Sequence, residues 1–421
     1  MAQVFPFQPL RYSSKAGATS DLVTQPYDKI PDELREQYLA GSPYNFVRLI
    51  KGKGAGDEVY QQAADLLDEW ISSGILKKDA EPGFYPYFQD FTHPETGDAC
   101  VRKGFVAICK THEYEERVIH PHELTHRGPK EDRLKLTTAT KAYFGQLFFL
   151  YDDPQRQVDA LLDAATASEP IAQAEEEGVT HKLWRISDPV AVAKIQELMA
   201  DKKLLVADGH HRYETSLAYK RAHPEVAGAD KVMMTLVNMS SEGLVVLATH
   251  RILEGLDNLS VATVLERAVE RFEVEKLKSS EELQQRLNSA PAGRSAIGAV
   301  FADDPAAYLF KGKKDALDAA LGDLLPEQRN LDVVALHRAL IGDALGISEE
   351  DVRELKGISY VRGFENAVNE VRNGGKQVAF LLRPVSVHEV AEISFSGGVM
   401  PQKSTDFYPK LLSGFATYRF G

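Results

Sequence analysis

Residues 206–217 read VADGHHRYETSL. In succession they carry an acid, Asp208, a glycine, Gly209, two imidazoles, His210 and His211, and a guanidinium, Arg212. The apolar run before them, KKLLVA at 202–207, has the composition of a short buried strand. Glu214 to Arg221 has that of a helix opening, with Leu217 on its apolar side. A strand that turns at a glycine into a helix makes an anion site, because backbone N–H groups and the positive end of the helix dipole face the ligand. Gly209 allows close backbone approach. Arg212 can grip two phosphate oxygens, and His210 and His211 can donate hydrogen bonds or shuttle a proton near neutral pH. Asp208 can hold Mg²⁺ or orient a hydroxyl. The competing reading makes Asp208 a helix cap and the histidines packing residues. Zinc fits less well: adjacent histidines rarely share one ion, and neither an HExxH motif nor a cysteine set lies nearby.

Two further clusters carry chemistry. HPHELTHRGPKEDRLKLTT, 120–138, reads as a polar loop entering a helix. Glu123 in it suits a general base for a hydroxyl nucleophile, and Arg127, Lys130 and Arg133 can neutralise a polyphosphate. A solvated charged turn is the other reading. GGVMPQKSTDFYPKLLSG, 397–414, is a glycine-rich, donor-rich turn bearing Lys403, Ser404 and Thr405, then Tyr408 and Lys410. It lacks the P-loop spacing, so functional and structural readings stand level. QPYDKI (Tyr27, Asp28) and NFVRL (Asn45, Arg48) look structural taken alone. His250 and Arg251 gain weight because they close a strand that can lie beside the one ending at Ala207.

The elements that must position these groups alternate along the chain. VFPFQPLRY and NFVRLI read as extended pieces, and a helix follows over 57–74. FYPYFQDF and VRKGFVAICK read as a hairpin turned by HPETGD. Residues 155–188 suggest a helix and then the strand THKLWRI; 189–199 is a further helix, and KVMMTLVNM and LVVLATHRIL are each one strand. Beyond residue 258 amphipathic helices alternate with strands. The fold class is therefore α/β, in the mixed α+β sense, divided as 1–115, 116–257 and 258–421.

At 421 residues the chain exceeds one ordinary core. A net charge of −13 argues against a general nucleic-acid binder while leaving room for a local basic pocket. Two cysteines, Cys100 and Cys109, are too few for a disulfide framework. No apolar run reaches the length of a membrane span, and MAQVFPFQPLRYSS lacks the pattern of a signal peptide. The expectation is a reduced, cytoplasmic protein that binds neither nucleic acid nor membrane.

VADGHHRY resembles the signature of the ParB/sulfiredoxin-like superfamily, whose phosphate-binding turn carries Gly, His and Arg after a strand. QPYDKI, NFVRL, HPHELTHRGPKEDRL, ADGHHRYETSL, THRIL and MPQKSTDFYPKLLSG fall in the order seen in a widespread bacterial family labelled as a domain of unknown function. The motifs span nearly the whole chain. The resemblance implies a ParB/sulfiredoxin-like core over 116–257, with a helical insertion near 150–190 and added N-terminal and C-terminal α/β regions. Within that superfamily the chain is similar to free serine kinases, which convert L-serine to O-phosphoserine, in one branch with pyrophosphate as donor. By that resemblance Glu123, in the pair His122-Glu123, is the base. Asp208, Gly209, His210, His211 and Arg212 hold phosphates and metal, with Asp208 the ligand of Mg²⁺. The stretch from Glu123 to Asp208 is longer than in the compact kinases.

The residue chemistry suits phosphoryl transfer, which needs positioning and charge neutralisation more than covalent chemistry. Gly209, Arg212, Arg127, Lys130, Arg133, His250, Arg251, Lys403, Ser404 and Thr405 are the candidate phosphate ligands. Glu123, Asp208, His210 and His211 are the candidate catalytic groups. L-serine and pyrophosphate, or ADP or ATP, are the expected partners; no known nucleotide motif is visible, which favours the small donor. A phosphoserine phosphatase, with water as acceptor, and a ParB-like nucleotide-binding switch are the alternatives.

Overall fold

The computed structural model describes residues 1–54, 56–123, 128–257 and 259–421. The chain is mixed α/β and gathers into two compact units. The first holds Met1–Pro121, Thr125–Val245 and Pro409–Gly421; the second holds His122–Leu124 and Val246–Tyr408. Space thus divides the chain differently from a linear cut, because the last thirteen residues return to the first unit.

The first unit is built on a nine-stranded sheet. Its path runs Ile119–His120, Leu204–Asp208, Leu147–Tyr151, Lys231–Asn238, Ala99–Lys110, Tyr85–Thr92, Val179–Leu183 and Ala172–Glu176, with Val4–Phe5 added beside Ala99–Lys110. Leu204–Asp208 pairs parallel with Ile119–His120 and antiparallel with Leu147–Tyr151, where the register shifts between Val206 and Asp208. Such an irregularity turns the strand end out of the ladder. Leu147–Tyr151 is buried at every residue, as a central strand requires. The expected hairpin closes antiparallel from Tyr85↔Val106 to Thr92↔Ala99. Cys100 and Cys109 are free thiols on its second strand.

Four local expectations before residue 258 are corrected. NFVRLI is not extended: Val47–Ile50 is a helical turn, because the Asn45 side chain accepts from Val47 N–H at 3.0 Å and donates to the Asp21 carbonyl at 2.8 Å. That side-chain turn outweighs the β-propensity of the apolar residues. Between the helix Gln157–Ala165 and the strand Val179–Leu183 lies an unforeseen strand, Ala172–Glu176. Glu177 and Gly178, both at positive φ, make the two-residue turn between them. LVVLATHRIL is two strands, Val245–Leu247 and Thr249–Leu253, belonging to different sheets. Lastly, the helix expected from Glu214 already begins at His210 and runs to Ala222.

The second unit carries a six-stranded, wholly antiparallel sheet. The order is Phe272–Leu277, Asp304–Gly312, Ala296–Phe301, Val378–Leu381, Thr249–Leu253 and Ile358–Arg362. Leu283, Leu287, Val300, Leu309, Val368 and Leu381 fill one core beside it. Residues 335–344 form a π-helix where an ordinary amphipathic helix was expected. Among the described residues, no helix is long and apolar enough to cross a membrane.

Candidate functional site

The strand Leu204–Asp208 ends in the first unit at Gly209, which adopts φ +100° directly before the helix His210–Ala222. A Cβ at Gly209 would stand 2.8 Å from a Leu147 methyl and 3.2 Å from the Arg212 guanidinium carbon. Conformation and space both call for glycine there. His210 and His211 therefore open the helix, His210 buried and His211 half-buried. Asp208 is not the helix cap: its carboxylate faces two cations. Lys410 Nζ donates to Oδ2 at 3.0 Å, and Arg212 Nη2 lies 3.5 Å from Oδ1. Burial works against the Asp208 charge, but Lys410 and Arg212 outweigh it and hold the carboxyl well below its ordinary range. Arg212 is braced from the other side by the carbonyl of Gln146.

Arg133 and Arg212 line one small cavity of about 50 Å³ in this unit, together with Tyr27, Gly145 and Ser413. Arg133 is fixed by the Ile50 carbonyl at 3.0 Å and by Asp132, and its guanidinium sits 4.2 Å from the Tyr27 ring centroid. Lys130, from the same helix Gly128–Thr140, is ion-paired with Glu214. Arg127 lies outside the described residues.

Beneath the turn is a buried polar network that sequence reasoning missed. Arg102 is 1% exposed. It donates to Gln89 Oε1 at 2.9 Å and to the Pro409 carbonyl, and its guanidinium lies 4.6 Å from the Phe148 ring centroid. Gln89 in turn donates to the Lys410 carbonyl at 2.9 Å. The Tyr87 hydroxyl bonds His181 Nδ1 at 2.7 Å and accepts from Leu412 N–H at 3.3 Å. Burial, and next the charge of Arg102, push His181 down to about 3, so it is neutral; the Gln89 amide N–H, 3.3 Å from Nδ1, makes that nitrogen the acceptor. The readable signal was an arginine on the inward period of an apolar strand: Arg102 and Gly104 face in while Val101 and Lys103 do not.

Glu123 belongs to the second unit. Its Oε1 accepts from the N–H groups of Ser404 at 3.1 Å and Thr405 at 3.3 Å, and bridge pairing with Met400 holds its backbone. His122, fully buried beside it, bonds the Thr405 hydroxyl at 2.8 Å. The donor-rich loop expected to face phosphate thus turns two of its N–H groups onto a carboxylate of its own unit. Lys403 takes φ +58°, a left-handed conformation uncommon outside glycine. The Gln402 and Lys403 carbonyls accept from buried Arg251 at 3.2 and 3.1 Å. Arg251 also donates to His337 Nε2 at 3.0 Å and lies over the Tyr360 ring. His250 is buried, accepts from Leu382 N–H at 3.2 Å, and is pushed down to about 4 by burial and then by Arg251.

The structure therefore brings Asp208, Gly209, Arg212 and Lys410 together in one unit, and Glu123, His122, Arg251 and residues 403–405 together in the other. Among the described residues, no group of three His, Cys, Asp or Glu side chains is placed to hold a metal. Asp208, with a cation on each oxygen, does not fit a ligand cage made by the protein alone.

A family model described as "Protein of unknown function (DUF1015)" matches residues 4–334. Among solved structures, the chain is similar to a free serine kinase in complex with AMP, at 15% identity over 72% of this chain and 88% of that one, with a TM-score of 0.38. It is also similar to a conserved hypothetical protein from Pyrococcus furiosus (15% identity, 69% and 87% covered, TM-score 0.35). A third is SbnI with C-terminal truncation from Staphylococcus aureus (13%, 70% and 82%, 0.36). No curated protein matches.

Proposed function

The chain belongs to the DUF1015 family of proteins of unknown function, and from that premise we propose a phosphotransferase that converts free L-serine to O-phosphoserine, with pyrophosphate as donor. The observation that carries this reading is the Asp208–Arg212 turn. A glycine at φ +100° ends a buried strand and starts a thirteen-residue helix, with Arg212 and Lys410 flanking the opening. Backbone N–H groups, the helix dipole and two cations form the donor set that phosphate oxygens require. In the reaction the serine Oγ bonds to phosphorus as the bridging P–O bond of the donor breaks. Phosphate leaves from pyrophosphate, or AMP from ADP. Transfer through such a centre rests on charge neutralisation and alignment.

Glu123 is the base in this reading, through its place in the matching His-Glu pair and the chemistry of its carboxylate; it takes the serine Oγ proton. Mg²⁺ is proposed only as a companion of the donor's phosphates, a cation that keeps most of its waters and takes a carboxylate or two from protein.

Phosphorus NMR of the pure protein with L-serine and Mg²⁺, offering pyrophosphate, ADP and ATP in separate tubes, tests the proposal. A phosphoserine signal in one tube identifies activity and donor together, and silence in all three removes the reading. His211→Ala and Arg212→Ala abolish transfer and leave the thermal unfolding transition cooperative; full activity in either removes the turn as the site.

A further inference from the structure

Three cations, Lys410, Arg212 and Arg102, gather at the Asp208 turn. One carboxylate meets Lys410 and Arg212 directly. Arg102 lies behind them, over the ring of Phe148, the cross-strand partner of Asp208. Arg102 is buried, has only the neutral partners Gln89 and Pro409, and its Nη1 has no partner among the described residues. A buried guanidinium without a salt-bridged acid is costly unless an anion offsets it. Lys410 and Arg212 share the Asp208 carboxylate, and cations gathered at a helix start suit the oxygens of a phosphoanion.

We infer that Lys410, seated by the buried Arg102–Gln89 network, is a phosphate-binding cation of this turn, so that the returning segment 409–413 is part of the site. The inference rests on the reading above and deepens it. Lys410 arrives 202 residues after Asp208, and its own backbone is fixed on both sides. Arg102 holds the carbonyl before it, Gln89 holds its own carbonyl, and Tyr87 takes the N–H of Leu412. Its ammonium rests on Asp208. When a phosphoanion enters, the ammonium is within a side-chain rotation of the incoming oxygens. Lys410 is a ligand residue in this scheme, and Arg102, which acts through it, is a positioning residue.

Calorimetric titration of inorganic pyrophosphate and of ADP into the full-length wild type, Lys410→Met and Lys410→Arg gives the test. The Met variant is expected to bind pyrophosphate at least about tenfold more weakly, the effect of one lost charge-assisted hydrogen bond, and the Arg variant to recover part of it. Amine acylation followed by mass spectrometry on the wild type supplies a readout independent of the variants' folding: pyrophosphate is expected to protect Lys410. Equal affinity in Lys410→Met, or Lys410 left unprotected in a protein that binds pyrophosphate, overturns the inference while leaving the kinase standing. Binding with Lys410 protected but without phosphoserine formation supports Lys410 and removes serine as acceptor. A wild type that binds neither anion overturns both.

Discussion

The Oε1 of Glu123 accepts the backbone N–H of Ser404 at 3.1 Å, although 281 positions separate them. The N–H of Thr405 converges on the same oxygen. A carboxylate so held is oriented, as a general base must be before its acceptor arrives.

Glu123→Gln therefore separates chemistry from architecture. Its amide oxygen still accepts from the loop but takes no proton, so turnover should fall by about 100-fold or more while pyrophosphate affinity is kept. Single-turnover phosphoserine formation beside calorimetric binding checks both halves. Unchanged turnover dismisses Glu123 as the base.

Gly209→Ala probes the turn. The φ of +100° is strained for any side chain, and the new methyl presses on Leu147 and Arg212. The expected loss is about 1–3 kcal/mol of stability, with weaker pyrophosphate binding. Urea unfolding measures the first and calorimetry the second; wild-type values in both would show that the turn tolerates another conformation.

Arg251→Lys probes the loop that holds Glu123. A single ammonium cannot reproduce the fork that reaches His337 and the carbonyls of Thr249, Gln402 and Lys403. A cost of about 2 kcal/mol follows from two or more hydrogen bonds lost in a buried place. Faster hydrogen exchange at the Ser404 and Thr405 amides is the specific mark, and unaltered exchange would refute the coupling.

Acid should weaken the fold before the carboxylates titrate. His181 and His250 are held neutral, down to about 3 and about 4, by burial first and a neighbouring arginine second. In the unfolded chain a histidine takes up its proton near pH 6.5. The unfolded state thus binds more protons below that pH, and stability is full above about 6.5 and falls as pH drops toward 4. The slope is on the order of 1.4 kcal/mol per pH unit for each histidine. Urea midpoints at pH 7, 6 and 5 should fall in sequence, and His181→Gln should flatten the decline. A flat profile in the wild type contradicts the buried, neutral assignment.

Much of the candidate site was legible as residue types in order. The run from Asp208 to Arg212 announced a strand, a glycine turn and a helix, because local composition decides where a strand can end and which residue tolerates positive φ. Helix periodicity also marked Glu58–Ser72 closely, the helix Pro189–Met199 was legible, and aromatic and branched residues around the HPETGD turn marked the hairpin Tyr85–Lys110. Where the helix begins was less legible, since His210 and His211 are as compatible with a loop as with a first turn.

Partnership was decided only in three dimensions. Lys403 looked like the cation of MPQKSTDFYPK, yet Lys410, seven residues on, meets Asp208, and the loop's N–H groups meet Glu123. The reason is physical. The type and spacing of side chains set local conformation, but which charges become neighbours depends on strand register and on where the chain returns. That return is fixed by burying Arg102, Gln89, Tyr87 and His181 around a segment hundreds of residues away in sequence. Hydrogen bonds of that kind exist only once the whole first unit is assembled, so no local pattern could disclose them.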